Sequence, residues 1–253
     1  MNRILAMVAL RSTDPLEWQA VAEGCEVDRS LVPAAIDGAP SREFSFPIPG
    51  GTLGLIHEPE PVDWDELEWP VMAAWHWPEA EAELRSHRSH VLVFATSDTL
   101  SPVDLNIQLV RAVASVIAAR PDTVAVYNPH ASIVIEPGRY AAEARSASRE
   151  ALPILLWLGL HLVTDSVGLS GYTTGMEVFG LLNLEEPDTP GTPPDLLNLL
   201  ASVAHYEISA GTQIGAGQSV GLSERQRVEI QHQPSRFGEG AVSCHLVLGL
   251  RAF

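Results

Sequence analysis

Apolar positions along this chain recur with two periods, near two residues and near 3.6, and the switching between them predicts a mixed α+β protein. Ile4 to Leu10 is an apolar run of strand length. Asp14-Pro15-Leu16-Glu17 follows, a cap residue with proline at the first helical position and an acid at the third, so a helix is expected to about Glu23. Val27 to Pro40 is irregular and rich in Pro and Gly. Phe44, Phe46 and Ile48 then alternate with polar or small residues, Pro49-Gly50-Gly51 supplies a turn, and Thr52 to His57 returns as the second strand of a hairpin. Asp63 to Met72 and Pro78 to Ser86 read as helices broken at Pro78, and Val91 to Ala95 reads as a buried strand. The order is β-α-β-β-α-β, the ferredoxin-like arrangement.

Ser101-Pro102-Val103-Asp104 and Thr192-Pro193-Pro194-Asp195 repeat the helix-start device. In each, a side-chain oxygen can accept from backbone N–H groups that have no partner within the helix, and the acid suits the positive helix end. The helix from Pro102 to Ala119 is apolar nearly all round, which implies burial on several sides. Beyond it come a strand at Thr123 to Tyr127, a helix at Pro137 to Glu150, a long apolar strand at Leu152 to Val163, and a partner strand at Leu169 to Met176. A helix at Thr192 to Ser209 and a closing hairpin of Arg227 to His232 with Val242 to Leu250 complete the order. The expected fold is therefore α+β: two ferredoxin-like halves in tandem, 1–98 and 120–253, joined by a buried central helix at 99–119, with an extra terminal strand in the second half. One mixed domain built from the same elements is the competing arrangement.

Composition narrows the chemistry. Lys+Arg is 15 against Asp+Glu at 32, a formal net charge of −17, which repels nucleic acid and anionic membrane surfaces and attracts a basic protein. Every basic residue is arginine, because the chain has no lysine. A Schiff-base lysine and the lysine of a phosphate-binding loop are both excluded by that fact. Cys25 and Cys244 lie far apart with no C-x-x-C spacing, and no cofactor or metal is expected. No apolar run approaches the roughly 20 residues of a membrane span, and the start reads as a strand, so a cytoplasmic location is expected.

Four strings carry a family resemblance. LPILLWLGLHL (Leu152 to Leu162), GLSGYTTGMEVFG (Gly168 to Gly180), WHWPEAEAELRSHRSHVLVFA (Trp75 to Ala95) and GRYAAEA (Gly138 to Ala144) resemble bacterial proteins carrying domain of unknown function 4261. The resemblance covers roughly 75–210. Leu181-Leu182-Asn183-Leu184-Glu185-Glu186 departs from the pattern, which elsewhere continues with a lysine. What the resemblance implies is membership, not an activity, and it brings no catalytic residues with it.

Two stretches are candidate sites. Asp63, Trp64, Asp65, Glu66, Glu68, Trp69, Trp75 and Trp77 interleave aromatics with carboxylates and contain no arginine, a pattern suited to docking a basic partner. A half-buried helix with its tryptophans turned inward produces the same interleaving. Tyr172, Thr173 and Gly175 sit in a glycine-rich string that could bind a small ligand, in a cleft between the halves, or form a hairpin. His76, His87 and His90 lack carboxylate or thiolate partners at a ligand spacing, so the readings left are a histidine capping the helix C-terminus, where a cation is favoured, and an ordinary surface group. Neither Ser166 nor Ser170 sits in a G-x-S-x-G elbow. The expectation is a non-enzymatic protein that binds a basic protein, an immunity protein against a toxin being its most concrete form. The alternatives are a ligand-binding protein or enzyme, and a homo-oligomer.

Overall fold

The computed structural model describes residues 2–25, 41–164, 166, 168–189, 191–221, 227–238 and 241–249. The irregular stretch expected over Val27 to Pro40 and the last residue of the terminal strand, Leu250, lie outside the described residues. The chain divides into two units, Met1–Leu156 and Trp157–Phe253, each built on a six-stranded sheet.

The first unit runs β1 (Asn2–Leu10), α1 (Trp18–Gly24), β2 (Glu43–Ile48), β3 (Gly51–Glu58), α2 (Trp64–Met72), α3 (Ala80–Arg85), β4 (Ser89–Ser97), α4 (Pro102–Ala119), β5 (Thr123–Asn128), β6 (Ile133–Ile135) and α5 (Pro137–Ala144). Its strand order is β2-β3-β4-β1-β5-β6, with every neighbouring pair antiparallel. The expected β-α-β-β-α-β order along the chain is present, but the pairing is not ferredoxin-like. A split β-α-β needs β1 and β2 parallel with one strand between them. Here β3 and β4 both separate them, and three antiparallel steps leave β1 and β2 antiparallel. The physical cause is β4. Val91, Val93 and Ala95 are fully buried, so this strand takes an interior place between β3 and β1.

Register accounts for the two faces of this sheet. Ile4, Ala6 and Val8 lie opposite Ala95, Val93 and Val91, and α4 packs over β1, β4 and β3. Met7 and Ala9 lie opposite Tyr127 and Ala125 and join a second core with Leu67, Trp77 and Leu84 of the α2–α3 segment. By length and composition α4 could cross a membrane, yet half of it is buried in the protein, as its all-round apolar pattern implies. Ser101 caps it by accepting from the Asp104 N–H at 3.2 Å.

The first helix departs from expectation. It begins at Trp18, one turn later, with Glu17 at the cap position and no side-chain cap bond. Asp14 is held elsewhere: Arg120 donates to its carbonyl at 2.8 Å and grips Asp122 with Nε and Nη2 at 2.7 and 2.8 Å. Asp122 in turn accepts from the Ser12 N–H at 3.0 Å, which pins the segment before it can coil.

The boundary between the units also differs from the expected one. β5 pairs with β1, and β6 with β5, so residues 123–135 extend the first sheet instead of starting a second half. The helix expected to run to Glu150 stops at Ala144. The strand expected from Leu152 starts only at Gly159, because Pro153 has no N–H for a ladder. The chain makes the short turn α6 (Ile154–Trp157) there, with the Leu156 N–H on the Pro153 carbonyl at 2.9 Å.

The second unit continues with β7 (Gly159–Thr164), β8 (Leu169–Thr174), a 3-10 turn at Met176–Phe179, β9 (Leu184–Thr189), α7 (Pro193–Ala210), β10 (Ser219–Gly221), β11 (Arg227–Pro234) and β12 (Val242–Gly249). The order is β10-β11-β12-β9-β8-β7, and only β12–β9 is parallel. A parallel pair needs a long crossover, which α7 provides. The capping box expected at Thr192 and Asp195 is formed. β9 is the unexpected strand: Leu184–Thr189 enters the sheet between β12 and β8.

Candidate functional site

α2 starts at Asp63, whose Oδ1 accepts from the Asp65 N–H at 3.1 Å. Leu67 and Pro70 face the core. Asp65, Glu68, Trp69 and Met72 are spaced three and four apart, so they form one diamond on the opposite, exposed face. Trp69 is 54% exposed, Met72 70%, and Trp75, just past the helix end, 62%. Three large apolar side chains are thus presented within seven positions, with carboxylates one turn before them.

The four candidate tryptophans do not act together. Trp69 and Trp75 face solvent. Trp77 belongs to the core with Leu67 and Leu84 and is closed to any partner. Trp64 is half-buried, and the Arg85 guanidinium lies 3.9 Å above its ring. That contact shows what local sequence conceals. The acidic stretch has no arginine within it, but folding delivers Arg11 to Glu83 at 2.6 Å, and Arg85 also meets Glu81 four residues back along α3 at 2.9 Å. Neutralisation is confined to the α3 side. Asp65, Glu66, Glu68 and Glu79 make no ion pair among the described residues.

Two of the histidines around this segment, His87 and His90, bond the backbone, whereas His76 is exposed with its ring edge-on to Trp75. His87 accepts from the Val62 N–H at 2.9 Å through Nε2, which leaves the proton on Nδ1 to donate to the Leu84 carbonyl at the end of α3. It is the capping histidine of the sequence reading. Burial lowers its pKa, so it stays neutral. His90 Nδ1 bonds the Glu60 carbonyl at 2.9 Å. Among the described residues no group of three or more metal-ligating side chains is brought together.

The glycine-rich string is accounted for by packing. Thr173 is buried, its hydroxyl accepting from the Leu184 N–H at 2.8 Å, so it ties β8 to β9. Gly175 has φ +97°, which the turn into Met176 requires. A Cβ on Gly171 would stand 2.9 Å from the Leu196 side chain, so glycine there lets α7 close onto the sheet. Tyr172 is stacked between His161 and Phe237, with ring centroids 4.8 and 4.5 Å away.

Tyr172 opens onto a set of residues that sequence reasoning missed. His161, Tyr172, Glu185 and His245 are successive register partners across β7, β8, β9 and β12 and form one polar row. Glu185 is buried, accepts from the Ser235 hydroxyl and the Arg236 N–H, and lies 3.3 Å from His245 Nε2. Burial raises the Tyr172 pKa, with the Glu185 charge adding to it. The opposite face of the sheet carries Glu186, 4% exposed, with Oε2 unpartnered and its pKa pushed up to about 8 by burial. Two adjacent acids in a short apolar run give no sign from spacing that a sheet will enclose both.

Comparison with known families adds one finding. Residues 172–245 match the family described as Domain of unknown function (DUF4261), so the chain carries that domain. The matched stretch runs from Tyr172 to His245, contains three of the polar row's four members, and lies wholly in the second unit. The strings at Trp75 to Ala95, Gly138 to Ala144 and Leu152 to Leu162 fall outside it, and only Tyr172 to Gly180 of the fourth lies within it. No curated protein and no solved structure matches the chain.

Proposed function

We propose, for a chain whose second unit carries a domain of unassigned role, that the first unit binds a basic protein through the exposed face of α2 and the turn after it. The observation that carries this reading is the exposure of Trp69, Met72 and Trp75 beside carboxylates that have no ion-pair partner among the described residues. Large apolar groups cost free energy in water, and tryptophan is over-represented among residues that anchor interfaces. Carboxylates around such a centre steer a basic surface toward it and reject an acidic one. The net charge of −17 acts in the same direction at longer range. An immunity protein that covers the basic active surface of a toxin is the most concrete setting, and a reducing cytoplasm suits the free Cys25 and Cys244.

The test is a capture experiment from native lysate at low salt, with the partner then purified and titrated. Trp69→Ala with Trp75→Ala should weaken binding by a factor of at least about 30, the scale of a lost hot spot. Glu66→Lys with Glu68→Lys should slow association and flatten its salt dependence. Trp69 and Trp75 are solvent-facing, so the tryptophan pair should leave the melting temperature nearly unchanged, whereas Glu66 lies in the first turn of α2 and its reversal should lower it slightly. A partner that binds all variants alike would refute the reading. A dimer of this chain, seen by light scattering and broken by the tryptophan variant, would assign the surface to a second copy instead.

A further inference from the structure

A concave surface lies within the first unit, on the α4 face of its sheet, and its charged lining is of the opposite sign to the α2 face. A cavity of about 540 Å³ opens between the C-terminal end of α1, the middle of α4, and α5, within the size range of small-molecule sites. Its wall is apolar and shallow in side-chain height, made by Ile48, Leu53, Ala112, Ala118, Ala141 and Ala144. Gly24 sets the closeness of α1: a Cβ there would stand 2.8 Å from Ser115 Cβ, so only glycine lets the helix end approach α4. The polar lining is Gln108, Ser115, Cys25 and two arginines, Arg111 and Arg145.

Arg11, Arg85, Arg120, Arg139 and Arg149 of this unit each close on a carboxylate. Five other arginines of the unit, Arg3, Arg42, Arg88, Arg111 and Arg145, make no ion pair among the described residues, although the chain has 32 acids to offer, and of these arginines Arg111 and Arg145 line the cavity. Arg145 spends only Nε, on the Ala141 carbonyl at 3.2 Å, which leaves its terminal nitrogens available. Ser115 donates to the Arg111 carbonyl at 2.9 Å and can still accept. Two guanidiniums on one concavity repel each other, and an anion held between them relieves that repulsion while meeting fork-shaped donors suited to carboxylate and phosphate oxygens.

We propose that this cavity binds a small organic anion, its carboxylate or phosphate head between Arg111 and Arg145 and its apolar body on the alanine-lined wall between α4 and α5. The site is independent of the α2 surface. Calorimetric titration of the full chain with benzoate, phenyl phosphate and inorganic phosphate tests it and separates the two head groups.

Saturable one-to-one binding of one aryl probe is expected, at least tenfold weaker in Arg111→Ala and in Arg145→Ala and unchanged in Arg227→Ala of the second unit. Arg111→Lys should recover part of the loss, since it keeps charge but not the fork. Ala118→Leu should weaken the aryl probe and leave inorganic phosphate as it was, because it fills the wall and not the head position. Cys25, half-buried at the rim, supplies a readout that needs no heat: its alkylation by iodoacetamide should slow under saturating probe. No saturable binding of any probe, or an equal loss in Arg227→Ala, would overturn the proposal.

Discussion

Replacing Glu186 by glutamine should remove a loss of stability that this protein suffers as pH rises from about 4.5 to about 8. The carboxyl is 4% exposed on β9, one oxygen has no partner, and burial alone raises its pKa from 4.5 to about 8. Below about pH 4.5 the group is neutral in the folded and the unfolded chain, so it costs nothing through ionisation. Between that point and about pH 8 the unfolded chain releases the proton and the folded chain keeps it. The folded state then binds more protons, and stability falls as pH rises. Above about pH 8 the folded group ionises too, and the loss levels off. At about 1.4 kcal/mol per pKa unit the total reaches about 5 kcal/mol, an upper bound because water reaching the carboxylate reduces it. Glutamine keeps the shape and removes the titration. Urea unfolding of both proteins at several pH values, compared as a difference, isolates Glu186 from every other group. The variant should match the wild type near pH 4.5 and exceed it by several kcal/mol near pH 9. A difference that is flat with pH, or a variant that loses ground at high pH, would refute the assignment of a neutral, desolvated carboxyl.

Two further outcomes test the packing. Gly171→Ala places a methyl 2.9 Å from Leu196 and 3.0 Å from Leu200, so the second unit should lose about 1–3 kcal/mol in urea unfolding. Gly138→Ala, whose nearest neighbour would be 3.7 Å away, should be neutral or slightly stabilising and serves as its control. Arg120→Ala should cost about 3 kcal/mol by calorimetry, since the 8%-exposed guanidinium holds Asp122 and the Asp14 carbonyl together. Arg120→Lys should recover little of it, because a point charge cannot make both bonds to the carboxylate.

Much of the local structure was legible before folding was considered. Ser101 and Thr192 cap their helices where the spacing puts them, because a cap bond spans three residues and depends on little else. The hairpin of β2 and β3 and that of β11 and β12 follow from alternation interrupted by turn residues. Pro153 is the instructive failure: its missing N–H keeps the apolar run around it out of a strand ladder, and the chain turns there instead. Asp14 failed for a different reason, since its carbonyl partner Arg120 lies 106 residues away.

The order of residues alone determined where helices begin, which segments alternate, the excess of negative charge and the absence of lysine chemistry. Tertiary structure decided the strand order, the burial of Trp77 against the exposure of Trp69 and Trp75, the arrival of Arg11 on Glu83 and of Arg85 over Trp64, and the row from His161 to His245. The division has one cause. Caps, turns and periodicities are interactions among residues a few positions apart, and any window of the chain contains them. Alternation says that a strand has two faces, but which strand sits beside it and which helix covers it is settled by competition for burial among segments far apart in sequence.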